Sequence, residues 1–149
     1  MKYARRYPTG QSGFTLIEIM VVVVILGVLA ALVVPNIMSR PDQAKQTVAR
    51  SDIKAISSAL EIYRLDNGFY PSSDQGLEAL SSQPTGTPEP RNWNPDGYLK
   101  KIPSDPWGNP YQFEYPGTHN SGSYDLYSLG ADGRIGGEGF NADLGNWDE

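Results

Sequence analysis

The residues best placed to do chemistry lie near the end of the chain. Between Tyr124 and Glu149 the 149-residue sequence carries six acids, Asp125, Asp132, Glu138, Asp143, Asp148 and Glu149, against one cation, Arg134. Glycines at 130, 133, 136, 137, 139 and 145 let the main chain turn tightly among them. Carboxylates on such a loop suit a hard cation such as Ca2+, which takes roughly six to eight oxygen ligands. The spacing contains no D-x-D-x-D-G run, and Asp132-Gly133 equally suits a hairpin turn. The residues alone leave two readings open, a cation loop and a solvated acidic loop.

Elsewhere the chemistry is sparse. His119 is the one histidine, set in a polar loop beside Asn120, and reads as solvated rather than catalytic. The absence of cysteine excludes disulfides, thiolate metal sites and cysteine nucleophiles. Neither a G-x-S-x-G elbow nor a G-x-x-x-x-G-K-[ST] phosphate loop occurs, so no enzyme is predicted. The net charge of −5 argues against nucleic acid as a partner. Trp93, Trp107 and Trp147 read as core or subunit contacts rather than a ligand surface.

Glu18 is the other informative acid. It is the single charge in an apolar run of 21 residues, Phe14 to Val34. At about 1.5 Å per residue a helix of that length spans roughly 30 Å, the thickness of a bilayer core. A carboxylate there is costly and calls for a partner or a function, and no lysine or arginine lies within the run. A secretory signal peptide cleaved after Val28-Leu29-Ala30, with Lys2, Arg5 and Arg6 as its basic region, is one alternative. The length of the run and Glu18 argue against it.

The segment Gln11-Ser12-Gly13-Phe14-Thr15-Leu16-Ile17-Glu18 resembles the leader junction of type IV pilins and pseudopilins. The resemblance implies that a prepilin peptidase cuts between Gly13 and Phe14 and N-methylates Phe14. Residues 1–13 are then removed and the apolar run is kept. Phe14 gains an α-amine four residues before Glu18, and on a helix those positions are neighbours. Pairing reduces the desolvation cost of both charges in hydrocarbon. The residues leave open whether the pair forms within one chain or between chains. In the family, the residue matching Glu18 engages the amine of an adjacent subunit during assembly. Losing Lys2, Arg5 and Arg6 takes the net charge from −5 to −8, the terminal amine aside. Before cleavage these cations hold the N-terminus on the cytoplasmic side.

The elements that carry these groups fall into two unlike halves. Thirteen of the 16 glycines, nine of the 12 prolines and 12 of the 16 aromatics follow Asp66, so the first part reads as helix and the rest as turns and short strands. Gly27 and Pro35 interrupt the apolar helix, and Pro35 predicts a kink or local unwinding. In assembled filaments of the family the stretch matching Gly27–Pro35 loses helicity. From Asp42 to Asp66 the pattern is amphipathic: Ile53, Ile56, Leu60 and Tyr63 form a stripe that Val48, Ala49 and Ala59 widen. Pro41 suits the first turn, Asp42 its dipole, and Asn67-Gly68 the stop. The two segments read as one long N-terminal helix. Beyond it, Asp74–Leu80 suggests a short helix. Tyr111–Tyr115 and Tyr124–Leu129 suggest two strands joined by Pro116–Ser123, an antiparallel hairpin that packs on the amphipathic helix. The predicted fold class is α+β, a long helix on a small antiparallel sheet with glycine-rich loops.

Tyr70-Pro71, Gln75-Gly76-Leu77, Tyr98-Leu99, Asp105-Pro106-Trp107-Gly108, Ser128-Leu129-Gly130-Ala131-Asp132-Gly133 and Asn146-Trp147 look like the major pseudopilins of type II secretion systems. This narrower resemblance implies one structural Ca2+ in the acidic loop, held by the Leu129 carbonyl, Asp132 and Asp143, with Asn141 and Glu138 as candidates for the middle ligands. Ala142 stands where some relatives have a second aspartate. It also implies a leader at 1–13, a transmembrane and assembly helix at 14–40 and a periplasmic pilin-like domain at 41–149. The protein is expected in the bacterial inner membrane as a single-pass subunit, N-terminus cytoplasmic, and then in a periplasmic filament. The implied partners are further copies in a helical homopolymer, minor pseudopilins, the prepilin peptidase, and an inner-membrane assembly platform with a cytoplasmic ATPase. Two other readings are a type IV or competence pilin and a secreted calcium-binding module.

Overall fold

The computed structural model describes residues 13–38 and 40–148. In chain order these form helix α1 (Leu16–Met38), helix α2 (Arg40–Asn67), a short 3-10 helix (Leu77–Leu80), strands β1 (Gln112–Glu114) and β2 (Asp125–Ser128), a second 3-10 turn (Gly139–Asn141) and strand β3 (Leu144–Gly145). The chain divides into two compact units, Met1–Ser39 and Arg40–Glu149. Apart from Gly13, the expected leader lies outside the described residues. So does Ser39, the junction of what the sequence suggests is one long helix, which is assigned as α1 and α2.

Within the first unit, α1 is helical without interruption through Gly27 and Pro35. The local unwinding expected as one outcome at Pro35 is not seen, since the helix is assigned continuously through it. Thr15 and Glu18 start the helix. The Glu18 N–H donates to Thr15 Oγ1 at 3.2 Å, and the Thr15 N–H donates back to Glu18 Oε2 at 3.1 Å. This is a reciprocal capping box, two orphan donors satisfied by a T-x-x-E sequence. Among the described residues no helix is long and apolar enough to cross a membrane. The apolar sequence itself runs on through residues 32–34, whose side chains lie outside those described.

In the second unit, steps of four and three along α2 decide where the core sits. Ala49, Ile53, Ile56, Leu60 and Tyr63 fall on one face and are all buried, Ile56, Leu60 and Tyr63 fully. Each large apolar side chain buried this way contributes roughly 1.5–3 kcal/mol. Val48 departs from expectation and is half exposed. It lies at the edge of the face, near the start of the helix, whereas Ala59 at a similar angle further along is covered.

The sheet has three antiparallel strands in the order β1-β2-β3. Phe113 faces Leu126 across the first pair, and Ser128 faces Leu144 across the second. β1 and β2 are the expected hairpin. β3 lies in a segment that reads as acidic loop, because two residues between aspartates carry no strand pattern of their own. Only pairing with β2 makes them a strand. Tyr70, Tyr111, Tyr124, Leu126 and Leu144 pack with the α2 face and with Leu77 and Leu80. Tyr70 stacks edge-on against Tyr124 at 4.9 Å, and its hydroxyl donates to Glu61 at 2.6 Å and accepts from Arg64 at 3.1 Å. That anchors Tyr70-Pro71 to α2. Tyr98 is held similarly, its ring 5.2 Å from Tyr63 and its hydroxyl accepting from Asn67.

Candidate functional site

The acidic residues do not share one environment. Asp125, on β2, is 1% exposed. Its carboxylate accepts the N–H groups of His119 at 2.7 Å and Asn120 at 2.9 Å. Burial by itself raises its pKa. The donors from His119, Asn120 and Thr118 outweigh that and hold it below the ordinary carboxyl value. It is therefore a structural acid that folds the 117–123 connection onto the strand. His119 is not merely solvated: its Nδ1 lies 3.2 Å from Asp125 Oδ2, and its ring stacks on Trp147 at 3.9 Å. Nothing in the local sequence signals this, since Trp147 is brought there by β3.

Asp132 is exposed, and its Oδ1 accepts the Arg134 N–H at 3.1 Å, closing a tight turn. Glu138 and Asn141 are also exposed, Glu138 just before the 3-10 turn Gly139–Asn141 and Asn141 at its end, with the Asn141 N–H donating to the Glu138 carbonyl. Asp143 is half-buried. Its Oδ2 accepts the Gly136 N–H at 2.9 Å, while its Oδ1 is buried with no partner. Asp143 also lines a cavity of about 160 Å³ with Glu114, His119, Asp125, Tyr127 and Trp147.

The two limbs of the loop close through main chain. The Ala131 N–H donates to the Phe140 carbonyl at 3.0 Å. Gly130 has φ +67°, and a Cβ there would stand 2.7 Å from the Ala142 carbonyl oxygen, so only glycine lets the limbs approach. From α2, Gln46 reaches across to donate to the Gly139 carbonyl. Leu129, half-buried at the end of β2, opens this loop.

These donors fit a hard cation in kind: carboxylates, an amide and main-chain carbonyls, all oxygen. The unpartnered Asp143 oxygen is the observation that favours one, because a buried carboxylate oxygen without a donor is costly. Among the described residues no three His, Cys, Asp or Glu side chains are gathered as a metal group. Carbonyls and an amide therefore have to supply part of any ligand set.

The family model for type II secretion system protein G matches residues 36–147, three quarters of the chain. This chain belongs to the type II secretion system protein G family. A prokaryotic N-terminal methylation motif precedes that match at residues 8–34. Among curated protein G relatives, the type II secretion system core protein G of Pseudomonas aeruginosa is 72% identical over 93% of this chain and 96% of its own length. That of Vibrio cholerae is 56% identical over 92% of each. Among solved structures, the major pseudopilin from the type 2 secretion system of enterohaemorrhagic Escherichia coli is 46% identical. It superposes with a TM-score of 0.68 over 78% of this chain and 98% of that one. The protein G family is one of structural pseudopilin subunits. The pilin-like α+β fold expected from the sequence is the one observed.

Proposed function

We propose that this chain is the major structural subunit of a type II secretion pseudopilus, polymerising into a periplasmic filament that helps export folded proteins across the outer membrane. The observation that carries the reading is the succession of a methylation motif over 8–34 and a protein G match over 36–147 in one chain.

In this reading the apolar run from Phe14 to Val34 holds the precursor in the inner membrane, N-terminus in the cytoplasm, until it enters the filament. A prepilin peptidase cuts between Gly13 and Phe14 and methylates Phe14. Glu18 then has two kinds of donor within reach, the Thr15 groups it already accepts from and the new amine of its own or a neighbouring Phe14. Minor pseudopilins and an assembly platform driven by a cytoplasmic ATPase complete the machine, since this chain carries no phosphate loop of its own.

Leu129, through its carbonyl, Asp132 and Asp143 would hold one structural Ca2+, with Asn141 and Glu138 as further ligands. Bound there, the ion neutralises crowded carboxylates and stiffens a glycine-rich loop. The unpartnered Asp143 Oδ1 supports this assignment. Asp132→Ala is expected to lower the melting temperature in calcium and weaken filament assembly. Calcium-dependent stability unchanged in that variant would remove Asp132 from the site.

The deciding experiment is the mass and N-terminal sequence of the mature protein from a host with prepilin peptidase. A methylated Phe14 start is expected. A start at Ala31 would discard the apolar helix and Glu18, and with them the filament.

A further inference from the structure

The Asp105-Pro106-Trp107-Gly108 segment has no part in the function described so far, yet it contains one of the few buried carboxylates. Asp105 is 4% exposed. Its Oδ1 accepts the N–H groups of Trp107 at 3.1 Å and Asn109 at 2.7 Å. The Asp105 N–H in turn donates to the Asn109 carbonyl, and a bridge between Ser104 and Pro110 closes the turn. The other carboxylate oxygen points out of the turn. Asp105 Oδ2 accepts the hydroxyl of Ser128 at 2.6 Å, and Ser128 is fully buried at the end of β2.

From Ser128 the contact passes to the acidic loop. Ser128 Oγ accepts the Gly130 N–H at 3.2 Å. That N–H belongs to the same planar peptide unit as the Leu129 carbonyl. The cis peptides of the described chain precede Pro88 and Pro116, so the Leu129–Gly130 bond is trans. In a trans unit the N–H and C=O point in opposite directions. Pinning one therefore aims the other, and Ser128 sets the direction of the Leu129 carbonyl. Asn109 reaches the loop through one long hydrogen bond and lies close beside Gly133. Its Nδ2 lies 3.5 Å from the Gly130 carbonyl, and its Oδ1 lies 3.2 Å from where a Cβ on Gly133 would be. Gly133 directly follows Asp132.

We infer that the 105–109 turn is a positioning device for the loop cation, in which Asp105, acting through Ser128, orients the Leu129 carbonyl while Asn109 seats the Asp132-Gly133 turn. The inference rests on the calcium reading above. The physical need is plain: five glycines between 130 and 139 make the loop costly to order. A rigid turn outside it removes part of that cost before any ion arrives. Groups that orient metal ligands without touching the metal commonly change its affinity by about 10- to 100-fold when removed.

The test is calorimetric titration of Ca2+ into the EDTA-treated full-length chain in detergent, with melting temperature read separately in EDTA. Ser128→Ala breaks the relay. Asn109→Ala removes the second contact and leaves the buried carboxylate alone, so it decides the matter if Ser128→Ala fails to fold. Ile56→Val is the control, a core change remote from the loop in sequence that lowers stability without touching the relay. Calcium affinity is expected to fall about tenfold or more in Ser128→Ala and severalfold in Asn109→Ala, and to stay at the wild-type value in Ile56→Val. Wild-type calcium affinity in both loop variants overturns the positioning role while leaving the calcium site standing. A wild-type chain that binds no Ca2+ overturns both.

Discussion

α1 and α2 are both rich in apolar residues, but they differ in where those side chains go. In α1, Ile17 is 71% exposed, Val24 63% and Leu29 53%, whereas in α2 Ile56, Leu60 and Tyr63 are 0% exposed. α2 has one apolar face and a unit to bury it in. α1 is apolar all round, and such a helix has no face that its own unit can satisfy. The comparison teaches that the stability of the second unit is internal. The apolar side chains described in α1, by contrast, are exposed.

The largest expected effect follows from that contrast. Leu60→Ala should cost the second unit about 2–5 kcal/mol in denaturant unfolding, the usual range for emptying a packed site. Val24→Ala should leave the same transition where it is. Equal losses in both would break the comparison.

Asp125 sharpens it, as a polar group equally committed to the interior. Asp125→Ala leaves the His119 and Asn120 N–H groups without their acceptor and should cost about 3 kcal/mol. Because the folded-state pKa of Asp125 is depressed, its contribution is present above the ordinary carboxyl value of about 3.9. It is lost as pH falls through the lower folded value. Acid unfolding curves should therefore lose part of their pH dependence in Asp125→Asn.

A smaller effect belongs to the start of α1. Thr15→Ala removes one half of the capping box and should cost that helix end about 1 kcal/mol. Faster amide exchange at residues 16–19 in detergent, with the second unit unaffected, is the expected observation.

The smallest lies in the α2 core itself. The Tyr63 hydroxyl is buried without a hydrogen-bond partner. Tyr63→Phe should be neutral or stabilise the unit by up to about 1 kcal/mol. Burial, with Tyr98 nearby, pushes the Tyr63 pKa up to about 12. Its contribution is present below the ordinary tyrosine value of about 10 and is lost as pH rises through the folded value. The variant should therefore be less sensitive to alkali between those limits.

Much of this organisation could be read from residue types and spacing because it rests on local periodicity. The 49-53-56-60-63 steps mark the α2 face wherever the rest of the chain lies, and Tyr-Phe-Tyr alternation marks β1. The T-x-x-E start of α1 was equally available in the residues as a capping box, although Glu18 there invites an electrostatic reading first. The leader junction and the acidic glycine-rich loop are also written locally; the first points to the family, and the second leaves a cation loop and a solvated loop both open.

Other features needed the folded chain. β3 exists only because β2 offers it an edge, and the stacking of His119 on Trp147 follows from that pairing. Asp125 reads as one acid among six on a predicted strand, yet the His119 and Asn120 N–H groups that the fold brings to it make it a brace for the backbone. Asp105 and Ser128 are 23 residues apart, and no periodicity links them. Residue pattern alone marks the helical character of the first half, the apolar face of α2, and an α1 that is apolar but for Glu18 and Asn36. Only the tertiary structure shows which carboxylates are buried against backbone donors, as Asp105 and Asp125 are, and which stay exposed, as Asp132 and Glu138 do. The reason is physical: helix and strand patterns follow from the repeat of the backbone, whereas the role of a carboxylate depends on which donors the fold brings to it.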